Sequence, residues 1–338
     1  MTSFDNRFRL GLLFALGSAI SFGLSGPFAK ALMTSGWSPT AAVTARLAGG
    51  ALVMAIYASL VRPGWWGEAL RHYRIVLPYG LFPIAGAQLC YYNAVEHLSV
   101  GVALLLEYTA PVLVVGWLWA VTRSRPEHRT LLGVALAVVG IMLVLNVFSG
   151  AHINTVGVIW GLAAAVCAAC YFLMSARVAD HSGGPGLSPV ALAAGGLIIG
   201  AAAVAALGLT GVMPMVFGTD DVIVAGFTTS PVVPVLVLGV LSTAVAYTLG
   251  IKAVSLLQPS FAALVGLSEV LAAVLWAALL VGEALTVPQA IGGAVVLAGL
   301  ALARPGDRGR TRQPRTPVAP VGGLATDHSG DPAEIESR

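Results

Sequence analysis

Long apolar stretches alternate with short polar segments along most of the chain. A stretch of about 20 mostly apolar residues can cross the hydrocarbon core of a bilayer as an α-helix. The polar segments combine turn formers with charged residues, as at 62–64 and 123–126, which is typical of turns. The pattern predicts ten membrane-spanning helices, over residues 10–32, 39–61, 74–93, 97–122, 129–148, 155–178, 188–211, 231–250, 254–281 and 285–303.

The composition is that of an integral membrane protein. Of the 338 residues, 57% are hydrophobic and 10% are charged, and the mean hydropathy is +0.88. Soluble domains carry about 25% charged residues, because their surface must be solvated. The three cysteines (Cys90, Cys167 and Cys170) all lie in apolar stretches. Nothing in the sequence indicates a metal site, a cofactor or nucleic-acid binding.

The positions of the positive charges predict the orientation. With residues 1–9 in the cytoplasm, every Lys and Arg except Lys30 and Arg46 falls on the cytoplasmic side. This distribution follows the positive-inside rule and predicts a multi-pass protein of the cell membrane with cytoplasmic N- and C-termini. Residues 304–338 are rich in Arg, Pro and Gly and have no apolar periodicity, so we expect a disordered cytoplasmic tail.

The second half of the chain repeats the first. An offset of 159 residues aligns Trp117 with Trp276, in one ungapped register with several Gly and Ala matches. Each half, 10–148 and 155–303, then holds five helices, and an odd number makes the halves cross the bilayer in opposite directions. The sequence thus predicts an all-α fold of two inverted five-helix repeats. In secondary transporters, repeats of this kind surround a solute site near the midplane.

Several motifs resemble the drug/metabolite transporter superfamily, in the branch with two EamA-type domains. They are GVALLLEYTAP at 101–111, Ser-Glu-Val at 268–270 followed by Gly-Glu at 282–283, and Arg46. The resemblance implies a ten-helix carrier of metabolites, often amino acids or related compounds, that commonly exports them by using an ion gradient. Val270 departs from the pattern, because a proline often follows the acid there.

Two acids lie near the middle of predicted helices. A charge at the bilayer centre costs about 2.5–3.5 kcal/mol, so such residues normally face a cavity or a partner. Glu107 and Glu269 belong to the repeat-related fourth and ninth helices, so we expect both to approach one central region. They are candidates for a proton or cation site, or for contact with a substrate amine. The alternative is a buried acid held by a hydroxyl group or by Arg46.

Arg46, in the second helix, has Gly196 as its counterpart in the second half. It is a candidate for binding a substrate carboxylate through paired hydrogen bonds, or it snorkels to the outer interface. Pro111 lies just past Glu107 and is a candidate hinge, because proline frees a backbone carbonyl inside a helix. The remaining candidate ligands are polar residues on helix faces: Gln88, Tyr91, Tyr92, Tyr171 and Tyr247.

We therefore expect a secondary transporter of small polar metabolites that works by alternating access. Its partners are a small-molecule substrate and the lipid bilayer; proton or cation coupling, and a monomer or a homodimer, are left open. The alternatives are a membrane-embedded lipid-modifying enzyme and a non-transporting membrane receptor. The histidines are scattered and no H-x-x-E-H or D-x-x-D motif occurs, which disfavours an enzyme. The absence of G-x-x-x-x-G-K-[ST] excludes an ATP-driven pump for this chain alone.

Overall fold

The computed structural model describes residues 3–123, 128–144, 154–180, 187–256, 265, 268–283 and 286–303. The predicted tail, 304–338, lies outside this part, as does most of 257–267 in the ninth predicted helix. The described residues are helical except for loops and one β-hairpin, β1 (Val222–Val224) with β2 (Phe227–Thr229). The α-helices are α1 (Ser3–Gly23), α2 (Ser25–Thr34), α3 (Pro39–Val61), α4 (Trp65–Arg71), α5 (Tyr73–Tyr79), α6 (Ala87–His97), α7 (Val100–Glu107), α8 (Ala110–Thr122), α9 (His128–Val144), α10 (Thr155–Asp180), α11 (Pro189–Leu209), α12 (Val232–Leu236), α13 (Ala246–Leu256), α14 (Ser268–Val281) and α15 (Val287–Ala303).

Many of these helices have the length and composition of membrane spans. Large apolar side chains such as Leu52, Leu60 and Leu275 lie on outward faces, where a bilayer would cover them. Six spans among the described residues are long and apolar enough to cross: Arg7–Thr34, Pro39–Val61, Tyr73–His97, Val100–Val121, Pro189–Leu209 and Val232–Gly250. Four shorter helices are also apolar: Leu131–Gly140, Thr155–Tyr171, Ser268–Val281 and Val287–Gly299.

Two of the predicted spans are interrupted near their middle. The first is divided at Leu24, between α1 and α2, and the fourth at Tyr108 and Thr109, between α7 and α8. A proline follows each interruption, Pro27 in α2 and Pro111 in the first turn of α8. Because proline lacks an N–H and is best tolerated in the first turn of a helix, it favours a new helix start at these points.

Two other spans contain π-helical segments, at Gly80–Gly86 between α5 and α6 and at Val237–Val245 between α12 and α13. The hydroxyl of Thr243 donates a 2.8 Å hydrogen bond to the carbonyl of Leu238, five residues earlier. Prolines lie in or just before both segments, and the loss of their N–H groups favours local rearrangement of the hydrogen bonds. The hydrophobic pattern does not distinguish a π-helix from an α-helix, so these segments were not predicted.

One end of the helix bundle, here called the hairpin end, carries the β-hairpin. The N-terminal cap of α3 meets the chain before the hairpin, because Ser38 and Val216 exchange two hydrogen bonds of 3.0 Å. The hairpin also meets the end of α14, where the amide of Ala225 donates to the carbonyl of Leu280 at 2.8 Å. A Cβ at Gly157, near the start of α10, would lie 2.6 Å from Leu98. The region between the seventh and eighth predicted spans thus forms a hairpin, although the sequence indicated only a loop there.

The opposite end, here called the arginine end, carries the short helix α4, which the sequence did not predict. Glu68 of α4 accepts hydrogen bonds from the Arg62 guanidinium, at 2.8 Å, and from the backbone amide of Ser188 just before α11. Burial raises the pKa of the Glu68 carboxyl group, but the Ser188 amide and Arg62 outweigh this and hold it below its usual value. Glu68 therefore connects the two halves of the chain at this end.

Small residues allow the helices to pack closely. At the crossing of α3 with the second π segment, Gly49 and Gly50 lie against Gly239 and Thr243. At the crossing of α11 with the first π segment, Gly196 and Gly200 lie against Tyr79, Gly80 and Ile84. The most extensive helix pairs are α3 with α11, α9 with α15, α1 with α13, and α6 with α10.

We expect Gly299→Ala to lower the free energy of unfolding by about 1–3 kcal/mol, the usual cost of overpacking. A Cβ at Gly299 would lie 2.6 Å from the carbonyl of Gly133 and 2.7 Å from the amide of Ala137, and these backbone atoms cannot move away without shifting α9 from α15. The measurement is denaturant unfolding in detergent micelles. Gly116→Ala is the control, because nothing lies within 4 Å of its Cβ. Equal stability of the two variants would contradict the packing of α9 on α15.

Candidate functional site

Arg46 is buried in the middle of the bundle, with 2% of its surface exposed. Its guanidinium donates to the hydroxyls of Thr243, at 3.1 Å, and Tyr92, at 3.2 Å, and to Ser25 and Gln88. It also donates to the backbone carbonyl of Ser242 at 3.3 Å. These partners come from α2, α6 and the second π segment, so the side chain links four spans of the protein.

The surroundings of Arg46 bear on one of the two expectations for it, snorkelling, while binding of a substrate carboxylate stays a prediction. The guanidinium does not snorkel to an interface, because it is enclosed by its hydrogen-bond partners. Each of those partners is neutral, and none of the ion pairs among the described residues includes Arg46. A buried charge is tolerated when its hydrogen-bonding groups are satisfied. The predicted ligands Gln88 and Tyr92 thus contact Arg46 directly.

Glu107 is the last residue of α7, at the interruption of the fourth span. Its carboxylate makes no hydrogen bond with the described residues, and its side chain is half-buried. Its backbone carbonyl also lacks the usual donor four residues later, because that residue is Pro111. The residue that follows Glu107, Tyr108, donates a hydrogen bond to Glu269. The two predicted acids therefore do approach the same central region.

Glu269 lies in the first turn of α14 and accepts a 2.9 Å hydrogen bond from the hydroxyl of Tyr108. This bond joins the interruption of the fourth span to the ninth predicted span. Tyr108 was not among the residues predicted for the site. The signal that could have found it is its position, because a tyrosine next to an intramembrane acid offers a donor that can satisfy another carboxylate.

The other predicted tyrosines differ in their exposure and contacts. Tyr91 is 4% exposed, and a Cβ added at Gly26 of α2 would lie 2.5 Å from its hydroxyl. Tyr247 packs edge-on against Phe22. Tyr171 is further out, with 40% of its surface exposed and its ring 5.9 Å from that of Tyr79.

Comparison with known proteins identifies the family. The sequence profile of the EamA-like transporter family matches residues 9–146 and, a second time, residues 155–304. The chain belongs to the EamA-like transporter family. The resemblance seen in the sequence motifs is thereby confirmed, and the chain is a multi-pass membrane transporter.

Two relatives of this EamA-like transporter carry the names of transporters. The uncharacterized inner membrane transporter YicL of Salmonella typhimurium is 23% identical over 310 residues, which cover 90% of this chain and 98% of the relative. An uncharacterized transporter of Archaeoglobus fulgidus is 30% identical over 217 residues, which cover 63% of this chain and 70% of the relative. One protein of known crystal structure matches with a TM-score of 0.58 and 19% sequence identity, and the match covers 89% of this chain and 98% of the chain of that protein. At that identity, the match shows the fold alone.

The EamA-like transporter has a further polar contact at the hairpin end. Lys30, at α2, donates to the carbonyls of Val95, at 2.7 Å, and Leu98, at 3.3 Å, and its Nζ lies 3.9 Å from the carboxylate of Glu283. Glu283 also accepts a 2.9 Å hydrogen bond from the backbone amide of Val100. Lys30 thus ties the end of the first span to the segment after α14.

Proposed function

We propose that this chain is a secondary transporter that exports small polar metabolites by alternating access between two inverted five-helix repeats. The observation that carries the proposal is a group of charged side chains, Arg46, Glu107 and Glu269, within the helix bundle. Intramembrane charged groups mark substrate or ion pathways by default. Membership of a transporter family is consistent with that role.

The contacts at the two ends support an inverted repeat. The first span runs from the arginine end to the hairpin end, where Trp37 and Ser38 follow it. The helix α10, which begins the second half, starts at the hairpin end with Gly157 against Leu98. It leads to Ser188 and Glu68 at the arginine end. These contacts are the ones expected if the first helices of the two halves run in opposite directions, as repeats with five spans each require.

The packing of the helices supports a two-fold relation between the halves. The repeat relates α1 to α10, α3 to α11, α6 to α13, and α9 to α15. In the pairs α3–α11 and α9–α15, each helix packs on its own counterpart in the other half. The pairs α1–α13 and α6–α10 are counterparts of each other, because α10 corresponds to α1 and α13 to α6. Both third spans of the halves contain a π segment, and each crosses a glycine-rich second span of the other half. Such symmetry gives a carrier two related conformations, open to opposite sides.

The polar contacts support a conformation closed at the hairpin end. Lys30, Val100 and Glu283 tie the two halves together there, and Ser38 is bonded to Val216. Arg62, Arg71 and Arg74 all lie in or next to α4, at the arginine end. The positive-inside rule then gives a cytoplasmic arginine end. The solute enters from the cytoplasm and leaves through the hairpin end, with an ion gradient as the source of free energy.

Transport by the Glu107→Gln, Glu269→Gln double variant tests the role of the acids. The purified protein in lipid vesicles is supplied with a panel of radiolabelled amino acids, amines and sugars, with the pH gradient imposed and then collapsed. We expect gradient-dependent flux in the wild type and at least about a tenfold loss in the double variant, because a lost hydrogen bond to a charged group costs about 1.5–3 kcal/mol. Glu96→Gln, at the hairpin end, is the control. Unchanged flux in the double variant would remove both acids from the mechanism.

A further inference from the structure

The β-hairpin carries large apolar side chains on its surface. Phe227 is 77% exposed and Ile223 is 66% exposed, although the hairpin lies in the connection between two membrane spans. The strands pair Val224 with Phe227 and Ile223 with Thr228, so both large side chains belong to the last two pairs before the turn. Single apolar residues on a surface are ordinary, whereas neighbouring ones mark a contact with a partner or a membrane.

A stripe of exposed leucines runs along α14, the described part of the ninth predicted span. Leu271, Leu275 and Leu279 follow one another at intervals of four residues, which places them on one face of the helix. Each of them is more than half exposed. In a multi-pass membrane protein, such a face of an apolar helix is covered by lipid. Because α14 ends at Val281, the lipid-covered face extends into the last turn of the helix.

The turn of the hairpin is attached to this last turn of α14. The amide of Ala225 donates a 2.8 Å hydrogen bond to the carbonyl of Leu280. A cavity of about 460 Å³ lies between the two elements, and its lining includes Ile223 and Gly226 of the hairpin and Leu279 of the leucine stripe. The exposed side chains of the hairpin are therefore next to the end of the lipid-covered face.

We propose that the β-hairpin binds the lipid leaflet at the hairpin end, with Phe227, Ile223 and Leu279 forming one apolar surface that lipid covers. The occupant follows from continuity, because Phe227 comes directly after the turn residue Gly226, which lines the same cavity as Leu279. Lipid that covers Leu279 thus reaches the hairpin without a gap, and apolar side chains are more stable there than in water. This inference goes beyond the proposed function and holds for either direction of transport.

The remaining side chains of the hairpin fit a position at the membrane surface. Val222 is fully buried, so β1 also packs on the protein. Asp220 and Asp221, just before β1, are exposed and charged. An element that lies in the interface of a bilayer needs polar groups toward water as well as apolar groups toward lipid. The hairpin has both within ten residues of chain, 220–229.

Spin labels test whether lipid covers the hairpin. Phe227→Cys, Ile223→Cys, Leu279→Cys and the control Asp221→Cys are made one at a time in the full-length chain, with its three natural cysteines changed to alanine. Each is labelled with a nitroxide in phosphatidylcholine vesicles, and power saturation compares collisions with oxygen and with a water-soluble nickel complex. We expect the oxygen-to-nickel ratio at positions 227 and 223 to approach that at 279 and to exceed that at 221 by at least about threefold, because apolar oxygen concentrates in lipid.

Two results would overturn the inference. A ratio at position 227 equal to that of Asp221→Cys would mean that the hairpin faces water. Few collisions with either reagent at position 227, together with spin–spin broadening between labels on different chains, would mean that a second copy of this chain covers the surface instead of lipid. Ile223→Cys decides in the same way if Phe227→Cys does not fold.

Discussion

Arg46→Leu is expected to lower the free energy of unfolding by about 3–5 kcal/mol, because it leaves several buried acceptors without a donor at about 1–3 kcal/mol each. The guanidinium satisfies Ser25, Gln88, Tyr92, Thr243 and the Ser242 carbonyl. Leucine has a comparable apolar volume but no donor, so these groups lose their partner in a site closed to bulk water. Denaturant unfolding in detergent micelles, followed by circular dichroism, measures the change.

Two further substitutions make the Arg46 result specific. Arg46→Lys keeps the charge but replaces a planar fork of five donors by one ammonium, so an intermediate loss is expected. Arg74→Leu is the control, because Arg74 is exposed and, within the described part of the chain, its guanidinium contacts the neighbouring Tyr73. Surface changes of that kind are usually within about 0.5 kcal/mol. Wild-type stability of Arg46→Leu would contradict the structural network and return Arg46 to the role of a carboxylate-binding residue.

Lys30→Met is expected to open the hairpin end more often. The Lys30 ammonium donates hydrogen bonds to two backbone carbonyls of the first half, and it lies 3.9 Å from the Glu283 carboxylate of the second half. Because Lys30 and Glu283 are partly exposed, the ion pair itself contributes little. The hydrogen bonds to Val95 and Leu98 stay within the first half, so only the contact with Glu283 resists separation of the halves. Loss of this ion pair, about 0–1 kcal/mol, favours the conformation open at the hairpin end by up to about fivefold.

Labelling of an introduced cysteine measures this opening. Tyr247→Cys is made in a chain whose Cys90, Cys167 and Cys170 are alanine, and a membrane-impermeant maleimide is added from one side of the vesicle at a time. We expect up to about fivefold faster labelling from the hairpin end in Lys30→Met and unchanged labelling from the arginine end. Lys252→Met removes the same charge from the opposite part of the bundle, over Phe14, and serves as the control. Equal rates in both variants would mean that Lys30 does not hold this end closed.

The local sequence was sufficient to predict most of the helices. The cap of α3 illustrates this, because Ser38 precedes Pro39 and its side chain accepts from the amide of Ala41. Ser188 and Pro189 do the same for α11, with Ala191 as donor. Ser at the cap and Pro in the first turn are local signals that need no tertiary contact. The family could be recognised for a similar reason, since its motifs are short runs of adjacent residues.

The interruptions and the π segments were harder to predict from the sequence than the helices. Pro111 indicated a disturbance of the fourth span, and the interruption does lie just before it, at Tyr108 and Thr109. Whether a proline produces a kink, a break or a π-helix depends on which groups nearby can satisfy the freed carbonyl. In the eighth span the hydroxyl of Thr243 and the guanidinium of Arg46 contribute to that environment. The role of Pro111 as a hinge stays a prediction.

The sequence by itself determined that this chain is an all-α membrane protein of the EamA type, and it indicated which charged residues lie at membrane depth. The reason is that hydropathy, charge asymmetry and prolines act over a few neighbouring residues. Only the tertiary structure decided what those charges meet: neutral acceptors around Arg46, Tyr108 beside Glu269, and no partner for Glu107 among the described residues. These contacts join residues up to 197 positions apart in the sequence. Hydrogen bonds between such distant residues depend on which helices pack together, and the periodicity of a sequence does not specify that packing.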